Sequence, residues 1–283
     1  MATASSKRKR TETAAPAAAA VIPEQKYDPS KPMFPTAGGF GSTFVGSADG
    51  TAADPSTLYT SEQKKLWANA PANFSSKDGS LQVNSKHFNE PVMEPWEEPY
   101  MAALAKVACS RGGTVLELGF GMGISAGFIQ THKIDRHCIV EGNRDVCGRL
   151  LKFAQTAPHT VVPLNYFAHD AVQMLRDGSI DGILYDTYPL DGGVTENGDL
   201  KDDTYYEHRA FMKEAYRVLR PGGVFTYYCD EPEKIHPCDL AILTKLGFKV
   251  TSEVCALEVP KDCAYYSSEH KSMCVPICVK PMS

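Results

Sequence analysis

Four carboxylates of this 283-residue chain stand where apolar runs meet turns, and their placement defines the chemistry open to it. Glu117 lies within Val115-Leu116-Glu117-Leu118, just ahead of the turn Gly119-Phe120-Gly121-Met122-Gly123. Glu141 closes the run His137-Cys138-Ile139-Val140, and Asp170 and Asp186 follow two further runs. A glycine turn lets the backbone approach a ligand, and an acid about twenty positions on suits a ribose hydroxyl pair. Asp186 opens Asp186-Thr187-Tyr188-Pro189, where a carboxylate can accept hydrogen bonds from an amino or guanidino group and orient its nitrogen. A ligand-free turn and a turn-capping Asp remain the alternatives at this point.

The elements that must hold these residues alternate along the chain. Strands are predicted at Thr114 to Leu118, His137 to Glu141, Thr160 to Leu164 and Gly182 to Asp186. Helices are predicted from Ile124 to Thr131, Arg144 to Ala157 and Ala171 to Arg176. A helix from Tyr205 to Leu219, stopped by Arg220-Pro221-Gly222-Gly223, precedes a strand from Val224 to Cys229. A helix at Ala241 to Lys249 and strands at Thr251 to Val259 and Met273 to Val279 complete the pattern. This predicts a Rossmann-like α/β fold, a mostly parallel seven-stranded sheet covered on both faces, with ligands beyond the strands' carboxyl ends. Gly121, Glu141, Asp170 and Asp186 all fall at or just past such ends.

Residues 61–283 form the predicted domain, with 61–110 as a lid and leading helix. Ser61 to Trp67 suits a helical turn. Pro91, Pro95 and Pro99 forbid a long helix before Pro99, after which Tyr100 to Cys109 is helical until Arg111-Gly112-Gly113. The Trp, Met and Glu residues here read equally as a pocket wall and as a structural elbow. Residues 1–60, rich in Ala, Pro, Ser and Thr, form a predicted disordered tail, and the acidic loop Asp191 to Asp203 is expected to be mobile.

A hydrophobic fraction of 43% with 22% charged residues supports an ordinary globular core. A net charge of −5 gives no support to a nucleic-acid partner, and no apolar run is long enough to span a bilayer. Ala17 to Ile22 is too short for a signal segment and is flanked by Pro16 and Pro23, so a cytoplasmic protein is expected. Lys7-Arg8-Lys9-Arg10 suits a nuclear address and equally a solvated charge cluster. Nine scattered cysteines without a Cys-x-x-Cys pair read as reduced thiols, and no metal site is expected.

The glycine spacing separates two cofactor classes. A dinucleotide turn needs a small residue at the position of Ile124, whereas here the extra glycine is Gly123. With Glu117 ahead of the loop and Glu141 after it, the stretch is similar to S-adenosylmethionine-dependent methyltransferases of class I.

A narrower resemblance runs from about Trp67 to the C-terminus. Gly119-Phe120-Gly121-Met122, Asp181 to Leu190 and Pro221-Gly222-Gly223-Val224 carry it, with Pro91 to Glu94, Trp96-Glu97 and Pro99-Tyr100-Met101 upstream. Glu253-Val254, Ala256-Leu257, Asp262-Cys263 and Tyr265-Tyr266 extend it. These residues resemble the guanidinoacetate N-methyltransferase family. A related family that methylates arginine in ribosomal protein shares the Gly-Phe-Gly-Met loop but fits Leu184 to Leu190 and the C-terminus less well.

The resemblance implies methyl transfer from S-adenosyl-L-methionine to guanidinoacetate, a small-molecule acceptor, giving creatine. It implies that Glu97 and Asp186 hold the guanidinium and act as the catalytic pair. The loop Phe120, Gly121, Met122, Gly123, Ile124 and Ser125 would cradle the cofactor's amino-acid part. Glu141, with Gly142 and Asn143, would meet the ribose; Trp67, Met93 and Met101 would close over it; Ala168 and His169 would lie by the adenine. The family has Trp-Glu where this chain has Ala168-His169, while Asp170 is retained. It has Asn-Leu-Thr, whose amides hold the acceptor's carboxylate, where this chain has Cys229-Asp230-Glu231. Asp230 and Glu231 would therefore face the acceptor's far end, and two acids there favour a neutral or cationic group. The rival readings are another guanidino acceptor, such as an agmatine-like compound or a protein arginine, and a catalytically silent cofactor-binding module.

Overall fold

The computed structural model describes residues 59–84, 91–188, 190, 207–263 and 265–282. Apart from Tyr59 and Thr60, the predicted tail with its basic run lies outside the described residues, as does the loop Asp191 to Asp203.

Thr60 starts the first helix, α1 (Ser61–Asn69), with a reciprocal cap: its hydroxyl accepts from Gln63 N, and the Gln63 side chain accepts from Thr60 N. Three short strands follow, β1 (Ala72–Phe74), β2 (Leu81–Val83) and β3 (Pro91–Met93), in an antiparallel sheet of order β1-β2-β3. No strand is predicted here, because segments of three residues are too short for a period-2 pattern to register. A 3-10 turn, Pro95–Glu97, leads into α2 (Glu98–Ala108), whose Pro99 occupies the first turn, where no amide is needed.

The core alternates as predicted: β4 (Thr114–Leu118), α3 (Ile124–Ile129), β5 (Arg136–Val140), α4 (Arg144–Thr156), β6 (Val161–Leu164), α5 (Ala168–Val172) and β7 (Ile180–Tyr185). Then come α6 (Glu207–Val218), β8 (Leu219–Tyr227), α7 (Pro237–Leu246), β9 (Lys249–Ala256) and β10 (Ser272–Val279). The sheet has seven strands in the order β6-β5-β4-β7-β8-β10-β9. Its first five strands run parallel, and β10 is antiparallel to both neighbours. This is the class I methyltransferase topology, and the strand order reverses beside β4, where the glycine turn emerges.

Several boundaries differ from the prediction; α7 starts at Pro237 behind a His236 cap and stops before Gly247, and β9 spans Lys249–Ala256 rather than Thr251 to Val259. The short helix α5 begins at Ala168 rather than Ala171, because Asp170 in the first turn suits a helix start and the later apolar residues disguised it. Pairing of β8 begins at Leu219, opposite Ile180, so Pro221-Gly222-Gly223 is an irregularity inside the strand rather than a turn before it. The face of α2 formed by Tyr100, Met101, Leu104 and Ala108 is fully buried and shares one core with Val115, Ile139, Leu184 and Val224. Burial of each large side chain contributes about 1.5–3 kcal/mol, so α2 is fixed against the sheet and carries Glu97 at its start to a defined place. A second cluster, of Tyr59, Trp67, Ala70, Val83, Leu190 and Ala210, seats α1.

Candidate active site

The glycine turn wraps a carboxylate. Glu141, at the end of β5, is buried; it accepts from Phe120 N at 3.1 Å and Gly121 N at 3.4 Å through one oxygen and from Asn143 N at 2.7 Å through the other. Burial raises its pKa, and the amides of Asn143, Phe120 and Gly121 work against that rise. Oε1, which takes only the Asn143 amide, keeps a lone pair for a ligand hydroxyl, whereas Oε2 is filled by the two loop amides. Gly119 has φ +92, and a Cβ there would collide with the Asp186 carbonyl, so β4 and β7 can approach this closely only at a glycine. Gly121 has φ +51 and faces the Met93 sulfur, 3.2 Å from where a Cβ would stand. Met93 on β3 therefore roofs the loop, and Phe120 folds back against Gly123 and packs on Phe153.

Behind the turn, Glu117 is completely buried, with His137 Nε2 at 2.9 Å, and it accepts from the Ser125 hydroxyl. His159 N donates to Gln130 Oε1 at 2.7 Å, which aims the Gln130 amide nitrogen at His137 Nδ1, 3.2 Å away. Nδ1 is thus the acceptor from the Gln130 amide. Ser125 spends its hydroxyl on this rear network, leaving its backbone for the loop.

Asp186 directly follows β7, its own amide bonded to Leu118 O at 2.9 Å. Burial first, then the charges of Glu97 and Glu117, push its carboxyl up to about 8. Glu97 is only 3% exposed; it accepts from Tyr265 Oη at 2.6 Å and Glu94 N at 2.9 Å. Burial also raises its pKa, against the Tyr265 hydrogen bond. Trp96 donates to Glu94 at 2.7 Å and packs against Tyr265 and Tyr266, so the Pro-rich approach rests on the tyrosine that binds Glu97. Tyr228 and Tyr266 both lie within the fields of Glu97 and Asp186, which places the two acids in one electrostatic neighbourhood.

The remaining predicted residues divide. Trp67 on α1 stacks on Tyr188, with ring centroids 5.1 Å apart, and Met101 is fully buried in the α2 core. Met122 and Ile124 are half-buried on the loop, and Gly142 lies against the Phe167 ring. Ala168 and His169 open α5; the imidazole is buried edge-on to Phe211, and desolvation with Lys64 nearby lowers its pKa to about 4. Asp170 is held by Lys64 Nζ, 2.8 Å from each oxygen. At the far corner Tyr100 Oη accepts from Cys229 N at 2.9 Å and lies 2.7 Å from Cys274 O; Asp230 is exposed and Glu231 half-buried. Asp230 adds to the field at Tyr266.

Three contributors carried no role in the sequence reading. Tyr265 fixes Glu97, and the Tyr265-Tyr266 doublet was its only signal. Glu207, at the start of α6, accepts from Thr187 Oγ1 at 3.1 Å and Tyr185 Oη at 3.3 Å, and so steadies the turn after Asp186. Lys64 clamps Asp170 from α1, a contact no local pattern encodes.

The donor set fits an adenosyl sulfonium cofactor: a carboxylate with one oxygen still able to accept at the end of β5, beside a loop where a Cβ at Gly121 would crowd Met93. Among the described residues no cluster of three or more His, Cys, Asp or Glu could hold a metal ion, and no helix is long and apolar enough to cross a membrane.

The fold and this edge are those of the class I, S-adenosylmethionine-dependent methyltransferase fold. A model of the guanidinoacetate N-methyltransferase family matches residues 57–281, and the chain belongs to that family. It is 30% identical to protein arginine N-methyltransferase 2 of Eremothecium gossypii, over 68% of this chain and 46% of the relative. The protein of the same name from Candida glabrata is also 30% identical, over 76% of this chain and 45% of the relative. The chain thus spans less than half the length of these curated relatives. Similar solved structures include the M. jannaschii TYW2 complex with AdoMet, at 14% identity, TM-score 0.47, 76% of this chain and 89% of that one. Spermidine synthase from Thermotoga maritima matches at 14% identity, TM-score 0.45, 75% of this chain and 72% of that one.

Proposed function

We propose that the protein methylates a guanidino nitrogen, with Glu97 and Asp186 gripping the acceptor and guanidinoacetate, giving creatine, as the acceptor the family implies. The observation that carries this reading is the pair of enclosed acids whose pKa values are both raised. S-adenosylmethionine supplies an electrophilic methyl on a sulfonium. Glu141 takes its ribose hydroxyls, the loop from Phe120 to Ser125 cradles its amino-acid end, and Met93 covers it. A guanidinium is a poor nucleophile, because its lone pairs are delocalised and its pKa exceeds about 12. Asp186, ionised once the cation arrives, takes a guanidinium proton and so frees the nitrogen lone pair for attack. Glu97, locked by Tyr265, holds the other edge of the planar fork.

A second acceptor is favoured by the far corner. Cys229 N is already given to Tyr100, and Asp230 and Glu231 add two acids where a substrate carboxylate would rest. An acceptor with a cationic or neutral far end, such as an agmatine-like compound or a protein arginine, suits that field better. The deciding experiment incubates the full chain with labelled S-adenosylmethionine and guanidinoacetate, agmatine or an arginine peptide, with Asp186→Asn as control. Label in creatine with the wild type alone supports the first acceptor. Label only in agmatine or peptide supports the second. Cofactor binding without transfer to any acceptor defeats the catalytic reading.

A further inference from the structure

Asn143 was expected to touch the cofactor, yet its side chain has no capacity left for a ligand. The residue is fully buried. Its Oδ1 accepts from Asp145 N at 3.0 Å and Val146 N at 3.1 Å, capping α4. Its Nδ2 donates to Trp67 O at 2.9 Å and Ala70 O at 2.8 Å, at the C-terminal end of α1. An amide has two donors and two acceptor sites, and all four are used. Meanwhile its backbone N–H donates to Glu141 Oε1 at 2.7 Å. One residue therefore joins the α4 start, the carboxylate at the end of β5 and the last turn of α1.

Beside the apolar cluster around Trp67, the other polar ties of α1 are weaker. Lys64 meets Asp170, but their side chains are 26% and 48% exposed, and such surface pairs contribute little. Arg144 donates to Asn69 at 2.7 Å, again on the surface. The two Asn143 bonds are shielded from water, and breaking them would strand the Ala70 carbonyl and leave Trp67 O with only the bond from Ala70 N, 3.2 Å away. At the far end of this connection Trp67 stacks on Tyr188, two positions beyond Asp186.

We propose that Asn143 is a positioning residue that ties α1 to Glu141, so that occupancy of the ribose site and seating of α1 over the acceptor side are one coupled event. The inference rests on the reading that the cofactor's ribose binds Glu141. Its test uses the full chain and S-adenosylhomocysteine, with calorimetry for affinity and hydrogen exchange for the protection of α1 and α4. Asn143→Ser keeps an N-cap acceptor but removes both donors to α1. The wild type should bind and gain protection across α1. In Asn143→Ser, α4 should stay protected, α1 should exchange rapidly with or without ligand, and affinity should fall about tenfold. Asn143→Asp removes the same donors at almost unchanged volume and gives the same reading should the serine variant not fold. A variant whose α1 still responds to ligand as the wild type does would overturn the proposal. So would wild-type binding that leaves α1 unchanged, although the cofactor reading would then stand. A folded wild type that binds no S-adenosylhomocysteine would overturn both.

Discussion

Replacing Asp186 by asparagine should stabilise the protein at neutral pH while abolishing methyl transfer. The native carboxyl is pushed up to about 8 from 3.8, so between these values the folded protein holds a proton that the unfolded chain releases. Because the folded pKa is raised, the stability contribution of this group is complete below pH 3.8 and declines as pH climbs through about 8. At pH 7 the window already crossed is about three units, which sets a ceiling of about 4 kcal/mol. Asp186 is partly exposed, and solvent reduces the expected gain from Asp186→Asn to about 1–2 kcal/mol. Urea denaturation of both proteins near pH 4 and near pH 7 measures it: the curves should nearly coincide at the acid end and separate at neutral pH. A variant no more stable than the wild type near pH 7, or a gain of equal size at both values, would refute the assignment of stored electrostatic strain to this carboxyl.

Three further outcomes follow from the same geometry. At Asp239, burial alone would raise the carboxyl, but His208 and Arg209 outweigh it and hold the group at about 2; Tyr227 Oη also donates, at 2.9 Å. That stability is present above pH 3.8 and is lost as pH falls through about 2; Asp239→Asn, which takes the carboxylate from buried Arg209, should cost about 3 kcal/mol by denaturant titration. Gly119→Ala, which drives a methyl group into the Asp186 carbonyl, should lower the thermal midpoint and cofactor affinity together; a variant with wild-type affinity would contradict the close approach. Glu141→Gln retains only one accepting oxygen for the amides of Phe120, Gly121 and Asn143, and should weaken S-adenosylhomocysteine binding at least about tenfold by calorimetry.

The acidity of the acceptor side bears on both catalysis and selection. A site with Glu97, Asp186 and, further out, Asp230 attracts a cation but resists carrying all of its charges when empty. On the proposed reading, an arriving guanidinium would relieve that repulsion and ionise Asp186, so that the group would become a base only when there is something to deprotonate. The same field penalises a carboxylate on the acceptor's far end, which is why the identity of that end is best settled by the acceptor panel.

The sequence by itself determined the sheet and its active edge. Strand ends, the glycine turn and the acid that follows it are local patterns: continuous apolar runs, glycines where the backbone turns sharply, and an approach helix that starts at proline. These placed Gly121, Glu141 and Asp186 along one edge before any contact was known. Tertiary structure alone decided what each side chain does there. Ser125 turns away to Glu117, Asn143 spends its amide on α1, Lys64 reaches Asp170 across 106 positions, and Tyr265 reaches Glu97 across 168. The raised pKa of Asp186 is likewise a property of enclosure and of charges brought from other elements. Hydrogen bonds and desolvation depend on distances between residues far apart in the chain, and no local period records those distances.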